Sequence, residues 1–197
     1  MSSSIKLSIV LMLISTFSSS IYAKQTIVFV RHGEKPVNNS GQLTCKGLNR
    51  ALALPDILIS RYGKPDNIFA SAPKEDKPGS SLRPLSTIIP TAIRLSKPIN
   101  LNYHATDISG ITRALLHEDN KNSLSVVSWE HKNLVTAAKA IVEKEGGDPS
   151  IIPEWPGDDF DSIYVLTLNR DVTPAKVTFI HEKEGLNAIS ENCPSPK

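Results

Sequence analysis

Residues 26–34, with the sequence TIVFVRHGE, place five consecutive apolar or β-branched residues directly before an arginine, a histidine and a glycine. An uninterrupted run of this kind, flanked by polar residues, is typical of a strand that is buried on both faces of a parallel sheet. The end of such a strand presents His32 from a rigid element, and Gly33 allows the backbone to turn sharply there. The stretch therefore predicts an α/β fold with a polar site at the end of its first strand.

The rest of the chain alternates between short apolar runs and segments with helical spacing. This alternation predicts a three-layer α/β/α sandwich with a mostly parallel central sheet. In such sheets the loops at the carboxyl ends of the strands form the ligand crevice, so we expect His32 and His131 to meet there. Strands are predicted at residues 26–30, 67–70, 124–129, 163–168 and 176–180, with an edge strand at 99–103, and helices are predicted to start after Thr44, at Arg83, at residue 111 and at residue 132.

The first 23 residues differ in composition from the rest of the chain. Lys6 precedes an apolar run over residues 7–17, and small polar residues then lead to Ala23. This order is typical of a secretory signal peptide cleaved after Ala23, the alternative being an uncleaved anchor. The run is shorter than the roughly 20 residues that cross a bilayer. We therefore expect residues 24–197 to form one domain in the periplasm or outside the cell, with no stable membrane insertion after cleavage.

The charge of the chain is nearly balanced, at a formal value of +2, and loss of Lys6 with the signal would lower it by one. A strongly basic surface would be needed for nucleic acid or for an anionic membrane. The composition therefore argues against both as partners, and any affinity for anions has to be local. The oligomeric state is left open.

The two cysteines, Cys45 and Cys193, lack the C-x-x-C spacing that is typical of zinc sites and thioredoxin-like motifs. An exported protein can oxidise such a pair. The sequence leaves open whether they form a disulfide or stay as two thiols.

Four motifs occur in an order that resembles the histidine phosphatase superfamily, also called phosphoglycerate mutase-like, and together they span most of the chain after residue 23. They are Arg31-His32-Gly33-Glu34, residues 43–47 leading into Arg50-Ala51, Ser81-Leu82-Arg83 with Thr87 four residues on, and His131 after the third apolar run. The resemblance implies a hydrolase of small phosphorylated substrates that uses no metal or other cofactor. In this mechanism His32 attacks phosphorus and forms a phosphohistidine that water then cleaves.

The residue types in these motifs fit phosphoryl transfer. The reaction needs a neutral imidazole nitrogen as nucleophile and donors for the three equatorial oxygens of the phosphoryl group. Arg31, Arg83 and His131 are the candidate phosphate-binding residues, since a guanidinium fork suits two phosphate oxygens at once. The start of a helix at Arg83 adds free backbone N–H groups. The other histidines lie outside the motifs and are interpreted as structural or solvent-facing: His104, His117 and His181.

The proton donor to the leaving group is the residue that the motifs specify least. The resemblance implies an acid, which in one branch directly follows the second histidine, but Lys132 occupies that position here. Glu130, directly before His131, is the preferred candidate. The alternatives are Asp107, Glu118 and Glu75.

Two further acidic features have simpler interpretations. Glu34 is expected to line the entrance of the site or to be a solvated carboxylate. The acidic segment 158–161 is more typical of a solvated turn than of a metal site.

The stretch between Arg83 and His131 is too short for the large helical cap of the phytase-like and acid phosphatase-like branch. We therefore expect an open, shallow pocket for an accessible phosphate monoester. The alternatives are a phosphate-binding protein without catalytic activity and a phosphomutase. The natural substrate is left open.

Overall fold

The computed structural model describes residues 24–38, 40–75 and 78–195. Its strands are β1 (Gln25–Arg31), β2 (Asn67–Ala70), β3 (Leu124–Trp129), β4 (Ser162–Asn169) and β5 (Lys176–Lys183). Its α-helices are α1 (Cys45–Tyr62), α2 (Arg83–Leu95), α3 (Ile108–Leu115) and α4 (His131–Lys144), and 3-10 turns occur at Glu118–Asn120 and Pro149–Ile151. The predicted signal peptide lies outside the described residues. None of the described helices is long and apolar enough to cross a membrane.

Side chains from alternating positions of β1 enter two cores on opposite faces of the sheet. Ile27 and Phe29 pack with residues of α3 and α4, whereas Val28 and Val30 pack with residues of α1 and α2. All four side chains are fully buried, and burial of each contributes about 1.5–3 kcal/mol relative to exposure. The three-layer α/β/α arrangement is therefore confirmed, with β1 at its centre.

The sheet is mixed, so the prediction of a mostly parallel sheet is wrong. Its order is β2-β3-β1-β4-β5; β2, β3 and β1 pair in parallel, whereas β4 is antiparallel to both of its neighbours. The cause lies after α4, where residues 145–161 return to the edge at which β1 ends. As a result, β4 starts there, with Ile163 beside Val30. The connection to β5, residues 170–175, is too short for a parallel crossover.

The prediction of an edge strand at residues 99–103 is also wrong. Asn100 alone exchanges backbone hydrogen bonds with β2, donating to Ile68 O and accepting from Ala70 N. The segment therefore contributes only isolated bridges, at Asn100 and at His104. The other predicted strands are found close to their expected positions.

The first turn of α1 lies directly against the turn that follows β1. Thr44 caps the helix by accepting from Gly47 N, and its own backbone N–H donates to Glu34 O at 2.9 Å. A Cβ atom added to Gly33 would lie 2.9 Å from Gly47 O, and one added to Gly47 would lie 2.8 Å from Glu34 N. Real Cβ contacts are not this short, so glycine at both positions permits the close approach. These contacts account for Thr44 and Gly47 in the motif at residues 43–47.

The C-terminal segment is attached to the same end of α1. Cys45 and Cys193 form a disulfide across a sequence separation of 148, which decides between the two alternatives left open above. Near it, Asn49 Nδ2 donates to the backbone oxygens of Ser190 and Asn192. The segment after β5 is thus part of the support for the start of α1.

We expect reduction of the Cys45–Cys193 disulfide to lower the free energy of unfolding by about 2–4 kcal/mol, because a long closed loop restricts the unfolded chain. Urea denaturation with and without dithiothreitol measures this difference. The double variant Cys45→Ser/Cys193→Ser is the control, since its lower stability should not respond to the reductant. A wild-type unfolding curve that the reductant leaves unchanged would contradict the prediction.

Candidate active site

His32 follows β1 directly and is only 3% exposed. Its backbone N–H donates to Trp129 O at 3.0 Å, which continues the pairing of β1 with β3 by one residue. Its ring Nδ1 lies 2.8 Å from Gly33 O. Because a carbonyl oxygen only accepts, Nδ1 carries the hydrogen and Nε2 keeps its lone pair. The backbone thus selects the tautomer in which Nε2 can act as a nucleophile.

The surroundings of His32 favour the neutral form of its ring. Burial and the positive charges of Arg83 and Arg31 lower its pKa to about 4, although the hydrogen bond to Gly33 and the charge of Glu130 act in the opposite direction. The imidazole is therefore unprotonated at neutral pH. This is the state that attack on phosphorus requires.

Arg83 begins α2 and is tied to the turn after His32 through Thr87. The buried hydroxyl of Thr87 accepts from Gly33 N at 2.9 Å and donates to Arg83 O at 2.8 Å. This pair of bonds gives Thr87 of the third motif a structural role. Burial lowers the pKa of Arg83, with the charge of Glu130 opposing the shift.

Arg31 is held by the segment before β4. Its guanidinium carbon lies 3.8 Å from the ring centre of Phe160, and Nη1 donates to Gly157 O and Asp159 O at 2.9 and 2.7 Å. Burial lowers the pKa of Arg31, and nearby carboxylates, first Glu130, act against the shift. One side of the guanidinium is thus fixed by backbone oxygens and by a cation–π contact.

Glu130 and His131 lie together at the start of α4. Glu130 is the N-cap, with Oε2 accepting from Asn133 N and Nδ2 at 3.0 and 2.9 Å. Its other oxygen, Oε1, lies 2.7 Å from His131 Nδ1, although the pair is not in line for a hydrogen bond. The chain turns from strand to helix at this point, so the two side chains do not point to opposite sides as they would within a strand.

A cavity of about 460 Å³ brings together three of the predicted residues. His32, Arg83 and Glu130 line it, and so do Glu75 and His104. Arg31 and His131 are not in the lining. Both lie close enough to Glu130 for its charge to act on them: burial lowers the pKa of Arg31 and of His131, and Glu130 opposes each shift.

The three alternatives to Glu130 as the general acid are placed differently with respect to the cavity of His32. Glu75 lines the cavity that contains His32. Asp107 does not, and instead caps α3 by accepting from Gly110 N. Glu118 lines another cavity. It lies in a 3-10 turn beside the start of β2, where Asn120 of that turn accepts a hydrogen bond from Asn67. Of the four candidates, the structure brings only Glu130 and Glu75 to the cavity of His32.

Each of the three candidate phosphate-binding residues carries a buried nitrogen that lacks a hydrogen-bond partner within the described part of the chain. These atoms are Arg31 Nε, Arg83 Nε and His131 Nδ1. A buried polar atom without a partner is unfavourable by about 1–3 kcal/mol. The two guanidinium nitrogens would gain an acceptor if an anion bound among them, whereas His131 Nδ1 already lies 2.7 Å from Glu130 Oε1.

A buried ion cluster lies beside these residues and was missed by the sequence analysis. Arg50 is fully buried; its Nε and Nη2 donate to Glu34, and its Nη1 donates to Asp161 and Glu184 at 3.2 and 2.6 Å. Burial raises the pKa of Glu184 to about 8, although Arg50 acts against the shift. Glu34 therefore pairs with Arg50 and neither lines the cavity nor stands free in solvent. The sequence does contain a signal for this burial. Arg50 lies three positions after Gly47 and four before Leu54, and this helical spacing places it on the buried face of α1.

The acidic segment 158–161 is an ordered turn, only part of which is solvated. Asp159 Oδ1 accepts from the backbone N–H groups of Asp161 and Ser162. Burial opposes ionisation of Asp159, but hydrogen bonds from Lys183 and Ser162 prevail and lower its pKa to about 2. Asp161 is nearly buried and contacts Arg50. No group of side chains suited to a metal ion is found among the described residues.

Comparisons with known proteins identify the fold. No protein-family model matches the chain, and no curated protein matches it. The chain is similar to the mycobacterial glucosyl-3-phosphoglycerate phosphatase, with 13% identity over 79% of this chain and 97% of that one, at a TM-score of 0.56. The chain is also similar to phosphoglycerate mutase from Plasmodium falciparum, with 12% identity over 83% of this chain and 92% of that one, at a TM-score of 0.54.

The protein histidine phosphatase SixA, solved with tungstate, is 13% identical over 81% of this chain and 97% of its own, at a TM-score of 0.54. At these identities the likeness concerns the fold. These neighbours are members of one superfamily, the same superfamily that the four motifs resemble. The chain therefore has the fold of the histidine phosphatase superfamily.

Proposed function

We propose that the chain is a phosphohydrolase that cleaves phosphate monoesters through a phosphohistidine on His32. The observation that carries this proposal is the buried, neutral imidazole of His32, whose Nδ1 donates to Gly33 O. Nε2 is then the nucleophilic atom, in a cavity that also contains Arg83 and Glu130. The presence of phosphatases among the structures with this fold supports the assignment.

Substrate binding would place the phosphate group among Arg31, Arg83 and His131. The partnerless Nε atoms of Arg31 and Arg83 supply donors for its oxygens. The start of α2 at Arg83 adds backbone N–H groups and the positive end of the helix dipole. Two guanidinium groups also balance the charge of a phosphate dianion, which a single cation would not. The expected partner is thus a small phosphorylated molecule.

The reaction then proceeds in two steps. His32 Nε2 forms a bond to phosphorus while the ester P–O bond breaks, and the leaving oxygen takes a proton from Glu130. Water next attacks the phosphohistidine, the P–N bond breaks, and the Glu130 carboxylate accepts a proton from the water. Inorganic phosphate and neutral His32 are released. Glu130 suits this role because Asn133 holds its Oε2, which fixes the direction of the carboxyl group.

Export to the periplasm or to the outside of the cell is part of the proposal. The order of residues 1–23 is that of a signal peptide. The Cys45–Cys193 disulfide supports it, because disulfides persist in oxidising compartments.

Incubation with a ³²P-labelled aryl phosphate and rapid quenching should trap a phosphoryl group on His32. The adduct is expected to survive alkali and to be lost in acid, and it should disappear in His32→Ala. His117→Ala is the matched control, because His117 is exposed and lies at the opposite edge of the sheet. Label that persists in His32→Ala would contradict the assignment of the nucleophile. Phosphate binding without turnover would favour the non-catalytic alternative, and transfer to a second hydroxyl would favour a phosphomutase.

Replacement of the general acid should affect substrates according to their leaving groups. Glu130→Gln is expected to lower kcat for alkyl phosphates by about 10²–10⁴-fold, because an alkoxide leaves poorly without a proton. The loss should be much smaller for nitrophenyl phosphate, whose leaving group is stable as an anion. Glu75→Gln serves as the control within the same cavity. If that variant instead shows the leaving-group dependence, Glu75 is the acid and our assignment is wrong.

The protonation state of His32 gives a prediction about pH. Since its pKa is lowered to about 4, Nε2 should stay unprotonated at neutral pH and lose its lone pair only as the pH falls through about 4. NMR titration of the ring protons measures this midpoint directly. Arg83→Met should raise the midpoint, because the charge of Arg83 lowers the pKa. A midpoint at the ordinary value of 6.5 in the wild type would contradict the buried, neutral state.

A further inference from the structure

We propose that Arg50 is a positioning residue, which holds the turn after His32 and the segment beneath Arg31 in one fixed arrangement. It does not line the cavity of His32, so any effect on the reaction has to pass through other residues. The catalytic consequence rests on the proposed function, whereas the positioning itself is a property of the structure.

The first connection runs from Arg50 to the nucleophile. Glu34 lies two residues after His32, and its carboxylate accepts from both Nε and Nη2 of Arg50, at 3.1 and 2.8 Å. The backbone oxygen of Glu34 is held separately by Thr44 N. Glu34 thus anchors the far end of the turn, while Thr87 anchors Gly33. Since Gly33 O sets the tautomer of His32, a shift of this turn would alter the direction of Nε2.

The second connection runs from Arg50 to Arg31. Arg50 Nη1 donates to Asp161, and Asp161 N donates to Asp159 Oδ1 at 2.8 Å. The backbone oxygen of Asp159 in turn accepts from Arg31. Phe160, between the two aspartates, lies against the Arg31 guanidinium. The side chain of Arg50 therefore sets the position of the segment on which the guanidinium of Arg31 rests.

The third connection reaches the C-terminal segment. Glu184 accepts from Arg50 Nη1, Asn187 Oδ1 lies 3.5 Å from Nη2, and Leu186 N donates to the Asp161 carboxylate at 2.7 Å. The cluster thus contains one guanidinium and three carboxyl groups, of which Glu184 is almost completely buried. Such a buried group is a poor source of stability compared with apolar packing. Its organisation is better explained by the geometry that it imposes on its neighbours.

The three nitrogens of the guanidinium are what this role requires. Nε and Nη2 donate to Glu34, Nη2 also approaches Asn187, and Nη1 donates to Asp161 and Glu184, so a planar fork connects three separate segments. A lysine would keep the charge but offer a single nitrogen, which cannot contact all of these groups in the same directions. The variant Arg50→Lys therefore separates geometry from charge.

The test compares Arg50→Lys with Arg170→Lys. Arg170 is a matched control, because it too is nearly buried and pairs with a glutamate, Glu145, but lies beyond the end of β4, far from His32 along the sheet. Both variants should first be shown to fold by circular dichroism. Arg50→Lys is expected to lower kcat on nitrophenyl phosphate by about tenfold or more with little change in KM, because small misplacements of reacting groups reduce rates strongly. Arg170→Lys should retain the wild-type kcat.

A second measurement does not depend on turnover. The NMR titration midpoint of His32 should rise in Arg50→Lys, because a loosened turn admits water to the ring, and it should stay at the wild-type value in Arg170→Lys. If Arg50→Lys does not fold, Glu34→Gln takes its place, with a smaller change in the same direction. A wild-type midpoint in the Arg50 variant, or an equal loss of kcat in both arginine variants, would overturn the proposal. If the wild type hydrolyses no phosphate ester, the proposed function fails, and the midpoint alone then decides whether Arg50 positions His32.

Discussion

Backbone contact between Gly33 and Gly47 determines how closely α1 approaches the end of β1. At this distance Thr44 reaches the backbone of Glu34, and the side chain of Arg50, one turn after Gly47 in α1, reaches the carboxylate of Glu34. A larger side chain at either glycine would separate the helix from the turn. The placement of His32 at the edge of the cavity therefore depends on two residues that have no side chain.

The proposed nucleophile is kept neutral in strongly cationic surroundings. Burial and then the charges of Arg83 and Arg31 lower the pKa of His32, and the two arginines are also the groups that would attract a phosphate dianion. In the proposed reaction one pair of charges thus serves two requirements, since it helps to keep the attacking atom unprotonated and would bind the group that is attacked. Glu130 opposes both effects, and in the proposed reaction it has to lie close by to exchange a proton with the leaving group.

Local patterns in the sequence were sufficient to predict β1 and the order of the five strands and four helices along the chain, and they marked His32 and Arg83, both of which line the cavity. Each of these depends on neighbouring residues, such as the apolar run that ends at Arg31. The antiparallel placement of β4 could not be predicted, because residues 145–161 have no regular pattern that shows at which edge they end. The partners of Arg50 were missed for a similar reason, since Asp161 and Glu184 lie 111 and 134 residues away. The sequence also could not show that the carboxyl group of Glu130 faces the cavity, because its direction depends on how the chain turns from β3 into α4.

Arg50 is synthesised long before two of the residues that it contacts, Asp161 and Glu184. Arg50 leaves the ribosome 134 residues before Glu184, and the disulfide of Cys45 waits for a residue that is 148 positions later. During that interval the guanidinium has neither the glutamate nor the neighbouring tail segment to contact, and pairings this distant in sequence close slowly. A nascent chain can therefore contain the whole RHGE motif and still lack the surroundings that orient it. With Arg50 in its proposed positioning role, the pocket would be complete only after translation has passed β5, the last strand of the sheet.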